Sequence, residues 1–158
     1  MKKLFKYIAM TFLFVVLFGG GAEAKLAKEQ VAIGGITYKM PIGQVLEKYG
    51  KAHTVKGGAY YWGRDSLTVT TWDSAKGQTN YVTSVRCAAN NGLETPDGVI
   101  VGMPDQVLNQ VYGKADKVLD ADRNGCTVYT YESAGGGSLA FRTKNGRIVA
   151  IELAKFFT

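Results

Sequence analysis

Histidine and cysteine are scarce in this chain, and their scarcity narrows the chemistry that the protein can perform. The only histidine is His53, and no nucleophile, carboxylate or second metal ligand stands at a recognisable spacing from it. We therefore interpret His53 as a residue of a surface loop. The two cysteines do not form a Cys-x-x-Cys motif, which is typical of a redox-active dithiol. These absences predict a protein that is not an enzyme and that binds no metal or cofactor.

Clusters of acidic residues are also rare, and one of them resembles the start of a calcium-binding loop. Residues 120–125 read Asp-Ala-Asp-Arg-Asn-Gly, which matches the start of a calcium-binding loop. Such a loop has a glutamate at its twelfth position, but Tyr131 stands there and Glu132 follows one residue later. Aspartate, asparagine and glycine also favour tight turns. We predict a polar turn that leads into a strand, with a calcium site as the alternative.

Clusters of basic residues are missing too, although the chain has a formal net charge of +6. The lysines and arginines of the main part of the chain are scattered, as at Lys51, Arg64, Lys114 and Arg123, without a run or a helical stripe. A nucleic-acid-binding surface needs such clustering. We therefore expect no nucleic acid among the partners.

Only one long apolar run is present, and it lies at the start of the chain. Residues 7–18 are predominantly apolar, lysines precede them, and Ala-Glu-Ala ends the segment at Ala24. This three-part pattern predicts a signal peptide over residues 1–24 that is cleaved after Ala24. The run is shorter than the roughly 20 residues that cross a membrane, so no membrane span is expected after cleavage. The mature protein is predicted to be periplasmic or secreted, and soluble.

Proline is rare, and two of its three occurrences mark a repeated segment. Residues 40–52 and 103–115 align without a gap, and both begin with Met-Pro and end with Tyr-Gly-Lys-Ala. A proline favours the first position of a helix, and the glycine after the tyrosine is typical of a helix C-terminus. The long period indicates a duplicated structural unit. Each copy therefore predicts a short helix.

Strand-like runs follow each predicted helix. In the first half they cover residues 59–62, 66–72 and 81–87, and in the second half residues 126–131, 138–142 and 147–153. The predicted linker between the halves lies within residues 90–97. We therefore expect an α+β fold of two tandem repeats, residues 25–92 and 93–158. Each repeat is predicted to be a short helix packed on a three- to four-stranded antiparallel sheet.

The repeat resembles a known family. Gly-Met-Pro, a short amphipathic helix ending in Tyr-Gly, and strands with a Tyr/Trp pair are similar to the repeat of the beta-lactamase inhibitor protein and to the SmpA/OmlA (BamE) family. The resemblance spans roughly residues 35–153. It departs from the families at Lys39, where the second copy has Gly102, and at Ala52 and Ala115, where proline is usual; the lipoprotein branch's cysteine is also missing. The resemblance implies a helix-on-sheet fold and a protein-binding role.

The alternation of side chains along the strands predicts which residues face a partner. On the run 66–72, Leu67 and Val69 should face the helix, which leaves Thr68, Thr70 and Trp72 on the open side of the sheet. The same logic places Ala140, Arg142 and Lys144 there in the second half. The pairs Tyr60/Trp62 and Tyr129/Tyr131 each share a face, but their sequence does not decide which one. The predicted partner-binding residues are Trp62, Thr68, Thr70, Trp72, Tyr129, Tyr131, Arg142 and Lys144.

The two cysteines, Cys87 and Cys126, are not equivalent positions of the repeat. Cysteines of an exported protein most often pair, so we predict a disulfide between them. Two buried free thiols are the alternative.

These features together favour an exported, non-catalytic module that binds a protein partner at the cell envelope or outside the cell. An inhibitor of a secreted or periplasmic enzyme is the sharpest form of this hypothesis. The alternative is a structural or scaffold component of cell-envelope assembly.

Overall fold

The computed structural model describes residues 25–64, 66–72 and 80–155, so the predicted signal peptide and its cleavage point lie outside the described residues. A 3-10 turn at Lys28–Gln30 opens the described chain. The helices are α1 (Ile42–Tyr49) and α2 (Gln106–Tyr112). The strands are β1 (Ala32–Ile33), β2 (Ile36–Thr37), β3 (Thr54–Lys56), β4 (Ala59–Trp62), β5 (Leu67–Thr71), β6 (Val82–Cys87), β7 (Lys117–Leu119), β8 (Thr127–Glu132), β9 (Ser138–Lys144) and β10 (Arg147–Ala154).

Eight of these strands form one continuous antiparallel sheet in the order β3-β4-β5-β6-β10-β9-β8-β7. Each half of the chain contributes four of them. The final strands of the two halves, β6 and β10, pair at the centre, with Val85 opposite Leu153 and Cys87 opposite Ile151. Strands β1 and β2 form a separate two-stranded sheet.

The predicted fold class of two tandem α+β repeats, each a helix on its own sheet, is therefore wrong. The protein is mainly β, and the described residues contain two short helices of eight and seven residues. The physical reason lies in the two central strands. In separate sheets, β6 and β10 would each expose a row of backbone donors and acceptors, and their mutual pairing satisfies both rows.

One face of the large sheet is filled by the core, because its strands alternate in burial with a period of two. On β5, Leu67, Val69 and Thr71 are buried, and the residues between them are half-buried. Opposing residues of neighbouring strands share a face. The row that runs through Trp62, Leu67, Cys87, Ile151 and Phe141 is buried along its whole length.

The two helices cover this buried side of the sheet, which we call the helix face. Val45 of α1 and Leu108 of α2 are almost fully buried in the core. The ring of Tyr49 meets Trp62 edge to face at 6.4 Å, and Tyr112 contacts Phe141 at 5.3 Å between ring centroids. Helices this short are unstable alone, so the packing against the sheet stabilises them.

The β1–β2 hairpin adds Ile33 and Ile36, both fully buried, to the same core. Its turn contains Gly34 and Gly35, both with positive φ, a conformation that glycine adopts without steric cost. The hydroxyl of Tyr49 donates a hydrogen bond to the carbonyl oxygen of Gly34. This contact ties the hairpin to the C-terminal end of α1.

Strands β3 and β7 form the two edges of the large sheet, and all six of their residues are exposed. Both are only three residues long, and each includes a lysine, Lys56 on β3 and Lys117 on β7. Short, charged edge strands hinder pairing with another chain. Neither edge strand was among the predicted runs, because exposed three-residue strands have no burial pattern to detect.

Cys87 and Cys126 are both free and buried in the structure, so the predicted disulfide is absent. Cys87 ends β6 and Cys126 directly precedes β8, with β10 and β9 between these strands. Three strand-to-strand steps amount to about 14 Å, twice the separation that a disulfide spans between Cα atoms. The Cys87 thiol instead donates to the carbonyl oxygen of Ala89 or to Asn91 Oδ1.

Among the described residues, neither helix is long and apolar enough to cross a membrane.

Candidate partner-binding face

The side of the large sheet opposite the helices, which we call the open face, is polar and accessible. Its side chains follow from the strand register, because opposing residues point the same way. They include Thr54, Tyr61, Thr68, Thr70, Ser84, Arg86, Lys117, Thr130, Glu132, Ala140, Arg142 and Glu152. Most of these are exposed or half-buried, in contrast to the buried rows of the helix face; Ala140 is buried, as are Ser138 and Ala150, which the register also places on the open face.

A chain of ion pairs crosses the centre of this face. Glu152 Oε1 on β10 accepts from Arg86 Nε on β6 at 2.9 Å and from Arg142 Nε on β9 at 3.0 Å. Arg142 Nη1 also pairs with Asp122 in the loop before β8. Glu152 is the shared acceptor, so its carboxylate links both halves of the chain across the central β6–β10 pair.

The loop that contains Asp122 folds as a tight polar turn. Asp122 Oδ1 accepts the backbone N–H groups of Asn124 at 2.8 Å and Cys126 at 3.0 Å. These hydrogen bonds, that of Cys126 first, lower the pKa of Asp122, and the nearby Arg142 acts in the same direction. The alternative of a calcium site gains no support here, because Arg142 already pairs with the carboxylate that would bind the cation.

A second shared carboxylate lies at the side of the open face next to β7. Glu132 Oε1 pairs with Lys117 Nζ at 2.7 Å, and its Oε2 pairs with Lys25 Nζ at 3.2 Å. The hydrogen bond from Lys117 lowers the pKa of Glu132, and Lys25 adds to the effect. Both glutamates of the open face are thus surrounded by two cations each.

At the opposite side, next to β3, the surface contains a basic cleft of about 660 Å³. It is lined by His53, Thr54, Lys56, Tyr61, Gly63 and Arg64. The imidazole Nδ1 of His53 accepts the backbone N–H of Gly63 at 3.1 Å, and the backbone N–H of His53 donates to Tyr61. These two bonds fix the loop, and Tyr61, Lys56 and Arg64 provide the polar and aromatic groups of the cleft.

The structure places the eight predicted partner-binding residues in different surroundings. Thr68, Thr70, Arg142 and Lys144 lie on the open face, as the alternation predicted. Trp72 directly follows β5 and is 64% exposed. By contrast, the strand register places the other three on the helix face: Trp62 and Tyr131, which are buried, and Tyr129, which is half-buried and packs against the core.

Hydrogen bonds show what two of these helix-face aromatics do instead. Trp62 Nε1 donates to the carbonyl oxygen of Gly50 at 3.2 Å, and the Tyr131 hydroxyl donates to that of Gly113 at 3.3 Å. Each ring thus satisfies a backbone group at the end of one helix. Their place in the core leaves them out of contact with a partner on the open face.

The sequence analysis missed several residues of the open face, among them Tyr61, Arg86 and Glu152. The signal for Arg86 is present in the sequence, since it stands between Val85 and Cys87, both of which face the core. Glu152 alternates with apolar residues in the same way on β10. For Tyr61 no such signal exists, because both of its neighbours are aromatic.

No family model matches the chain, and no curated protein matches it significantly. Among solved structures, a DUF4309 family protein (YjgB) from Bacillus subtilis subsp. subtilis str. 168 aligns with a TM-score of 0.49 and 19% identity, over 77% of this chain and 83% of that chain. An extracellular protein containing a SCP domain from Bacillus anthracis str. Ames aligns with a TM-score of 0.45 and 9% identity, over 75% of this chain and 44% of that chain. Neither is described as a beta-lactamase inhibitor protein or a SmpA/OmlA protein, so that resemblance stays a prediction.

Proposed function

We propose that the protein is an exported, non-catalytic module that binds a protein partner through the open face of its sheet. The observation that supports this proposal is the contrast between the two faces. The helix face is filled by core side chains, whereas the open face presents hydroxyl, aromatic and charged groups from both halves of the chain to solvent.

The ion pairs hold several of these groups in place before a partner arrives. Arg86, Glu152 and Arg142 are linked through one carboxylate oxygen and stand on three adjacent central strands. Side chains that are already ordered lose little conformational entropy on binding. A broad, rigid and polar surface of this kind suits another protein better than a small molecule, which needs a concave and mostly apolar pocket.

The charge of the open face indicates the chemistry of the partner. Glu132 and Glu152 each pair with two cations, so their negative charges are already neutralised. Lys56 and Lys144 add positive charge at two other points of the face. Complementary charge steers and orients association, which favours an acidic surface on the partner.

The basic cleft supplies an anchoring point within this surface. Tyr61 is half-buried, and it lies beside Lys56 and Arg64 at the mouth of the cleft. Tyrosine and arginine are enriched among the residues that dominate binding energy at interfaces. An acidic side chain or a chain terminus of the partner fits this combination of aromatic and basic groups.

The non-catalytic part of the proposal rests on how His53 and the carboxylates are used. His53 accepts a backbone hydrogen bond through Nδ1, and the carboxylates described above are held in ion pairs. Export is proposed from the three-part pattern of residues 1–24. The sharpest form of the proposal is an inhibitor of a secreted or periplasmic enzyme.

The test is capture of partners from the secreted and envelope fractions of the source cells with the purified, immobilised protein. The dissociation constant of a captured protein is then measured for Tyr61→Ala and Arg86→Ala. Each change should weaken binding about fivefold or more, as the loss of roughly 1 kcal/mol. Arg86 is chosen over Arg142, because Arg142 also pairs with Asp122 and its loss would disturb the loop.

The matched controls are Glu47→Ala and Gln110→Ala, on exposed positions of α1 and α2. They should leave the dissociation constant unchanged. An enzyme captured at one-to-one stoichiometry and inhibited in the process supports the inhibitor form, and a membrane assembly complex supports the scaffold alternative. If Tyr61→Ala and Arg86→Ala bind normally while Glu47→Ala and Gln110→Ala lose binding, the partner contacts the helices and not the open face.

A further inference from the structure

A second cleft, of about 400 Å³, lies between the segment that follows β2 and the loop that joins β8 to β9. Three lysines line it, Lys28, Lys39 and Lys155, together with Tyr38 and Ser133. Glu29 is the one acidic residue of the lining. We call this site the lysine cleft. Its size is within the range of pockets that bind small molecules.

The three ammonium groups concentrate positive charge in this cleft. Among the described residues, none of the three lysines forms an ion pair, in contrast to Lys25 and Lys117 beside Glu132. Instead, Lys39 Nζ and Lys155 Nζ lie 5.8 and 5.7 Å from the centroid of the Tyr38 ring. One aromatic ring thus gathers two cations that form no ion pair with the described residues, although Glu29 lines the same cleft.

The backbone around the lysine cleft is built to hold these side chains. Lys39 has a φ of 63°, a left-handed conformation that a residue with a Cβ adopts only at a cost. Its backbone N–H donates to the carbonyl oxygen of Val82 at 2.8 Å, which anchors it to the sheet. A strained residue that is anchored in this way points to a functional constraint on its side chain.

Glycines of the β8–β9 loop pack closely against the other two lysines. A Cβ on Gly135 would come within 3.3 Å of Lys28 Cγ, and a Cβ on Gly136 would lie 3.6 Å from Lys155 Cε. The contact at Gly135 is the tighter one, so a side chain there would press on the Lys28 stem, whereas at Gly136 the contact would be an ordinary one. Lys28 and Lys39 are exposed and Lys155 is half-buried, so their ammonium groups are accessible to a ligand in the cleft.

From this geometry we propose that the lysine cleft binds a phosphate group, either of a soluble phosphate monoester or of an anionic lipid headgroup. All three cations are lysines, which act as separate point charges and suit a tetrahedral oxyanion, whereas the planar fork of arginine suits a carboxylate. A dianion would neutralise most of the charge that the described residues leave uncompensated. The Tyr38 ring, next to the Lys39 and Lys155 ammonium groups, offers a surface for the organic part of the ligand.

The test titrates inorganic phosphate into the purified, isotopically labelled protein and follows backbone amide signals by NMR, with sodium chloride at matched ionic strength as the reference. Signals of residues 28–39 and 133–137 should shift and saturate. The double variant Lys39→Gly, Lys155→Gln should raise the dissociation constant about tenfold. Glycine at position 39 accommodates the positive φ without strain, so the variant is expected to fold.

The control variant is Lys51→Gln, which removes one exposed charge outside the lysine cleft. It should bind phosphate normally. Sedimentation with phosphatidylcholine vesicles that contain phosphatidic acid distinguishes the two sources: lysine-dependent cosedimentation indicates a lipid headgroup, and phosphate binding without cosedimentation indicates a soluble ester. Shifts that do not saturate, or that persist in the double variant, would overturn the proposal.

Discussion

Replacing Leu139 by alanine tests whether the two halves of the chain unfold as one sheet. Leu139 lies on β9 with no exposed surface, opposite Leu153 on β10 and Tyr131 on β8. Truncation of a fully buried leucine removes its transfer free energy and leaves a cavity, which together cost about 3 kcal/mol or more. For a protein of this size, that loss corresponds to a fall in melting temperature of roughly 10 °C.

The two tryptophans make the assay informative, because both lie in the first half of the chain, at positions 62 and 72. Trp62 is buried against α1, so its fluorescence should change when the first half unfolds. Leu139 and its neighbours Leu153 and Tyr131 all belong to the second half. If the central β6–β10 pairing couples the halves, urea unfolding followed by tryptophan fluorescence and by circular dichroism should shift together in the variant.

The matched control is Leu119→Ala on the edge strand β7, where the leucine is 59% exposed. The same chemical change should cost less than about 0.5 kcal/mol there. An unchanged fluorescence transition in Leu139→Ala, beside a destabilised circular dichroism transition, would show that the halves unfold independently and would refute this reasoning.

Three further predictions concern local features. Gly34→Ala should destabilise the protein by about 1–3 kcal/mol in urea unfolding, because Gly34 has positive φ and a Cβ there would collide with the Tyr49 hydroxyl. The control Gly43→Ala on helix α1, where no atom lies near the new methyl group, should stabilise the protein by about 0.5–1 kcal/mol. If Gly34→Ala were the more stable of the two variants, the result would contradict this geometry. Burial raises the pKa of Tyr131 from 10.0 to about 12, so tyrosine ionises first in the unfolded state and the stability of the fold should fall as the pH rises above about 10. Tyr131→Phe should flatten this dependence when the melting temperature is measured against pH. An unchanged slope in the variant would contradict the assignment to Tyr131. Both cysteines should react with an alkylating reagent only after denaturation, and an intact mass two hydrogens below the reduced value would show a disulfide that the structure lacks.

The local structure of the chain followed largely from its sequence. The Tyr-Gly signals mark the ends of α1 and α2 at Tyr49 and Tyr112, whereas the prolines lie just before the helices, Pro41 directly before α1 and Pro104 two residues before α2, and not at their first positions. The alternation on β5 and β9 placed Thr68 and Arg142 on the open face, because successive side chains of a strand point to opposite sides. These are properties of neighbouring residues, and they need no knowledge of the rest of the fold.

The tertiary structure decided everything that depends on which strands are neighbours. The faces of Trp62 and Tyr131 could not be read from runs of consecutive aromatic residues, and the pairing partners of their strands settled them. The same holds for Cys87 and Cys126. The presence of two cysteines in an exported chain predicted a disulfide, but the strand order places them too far apart to form one. Joining β6 to β10 satisfies two rows of backbone groups that lie far apart in the chain, and this non-local pairing turned two expected sheets into one.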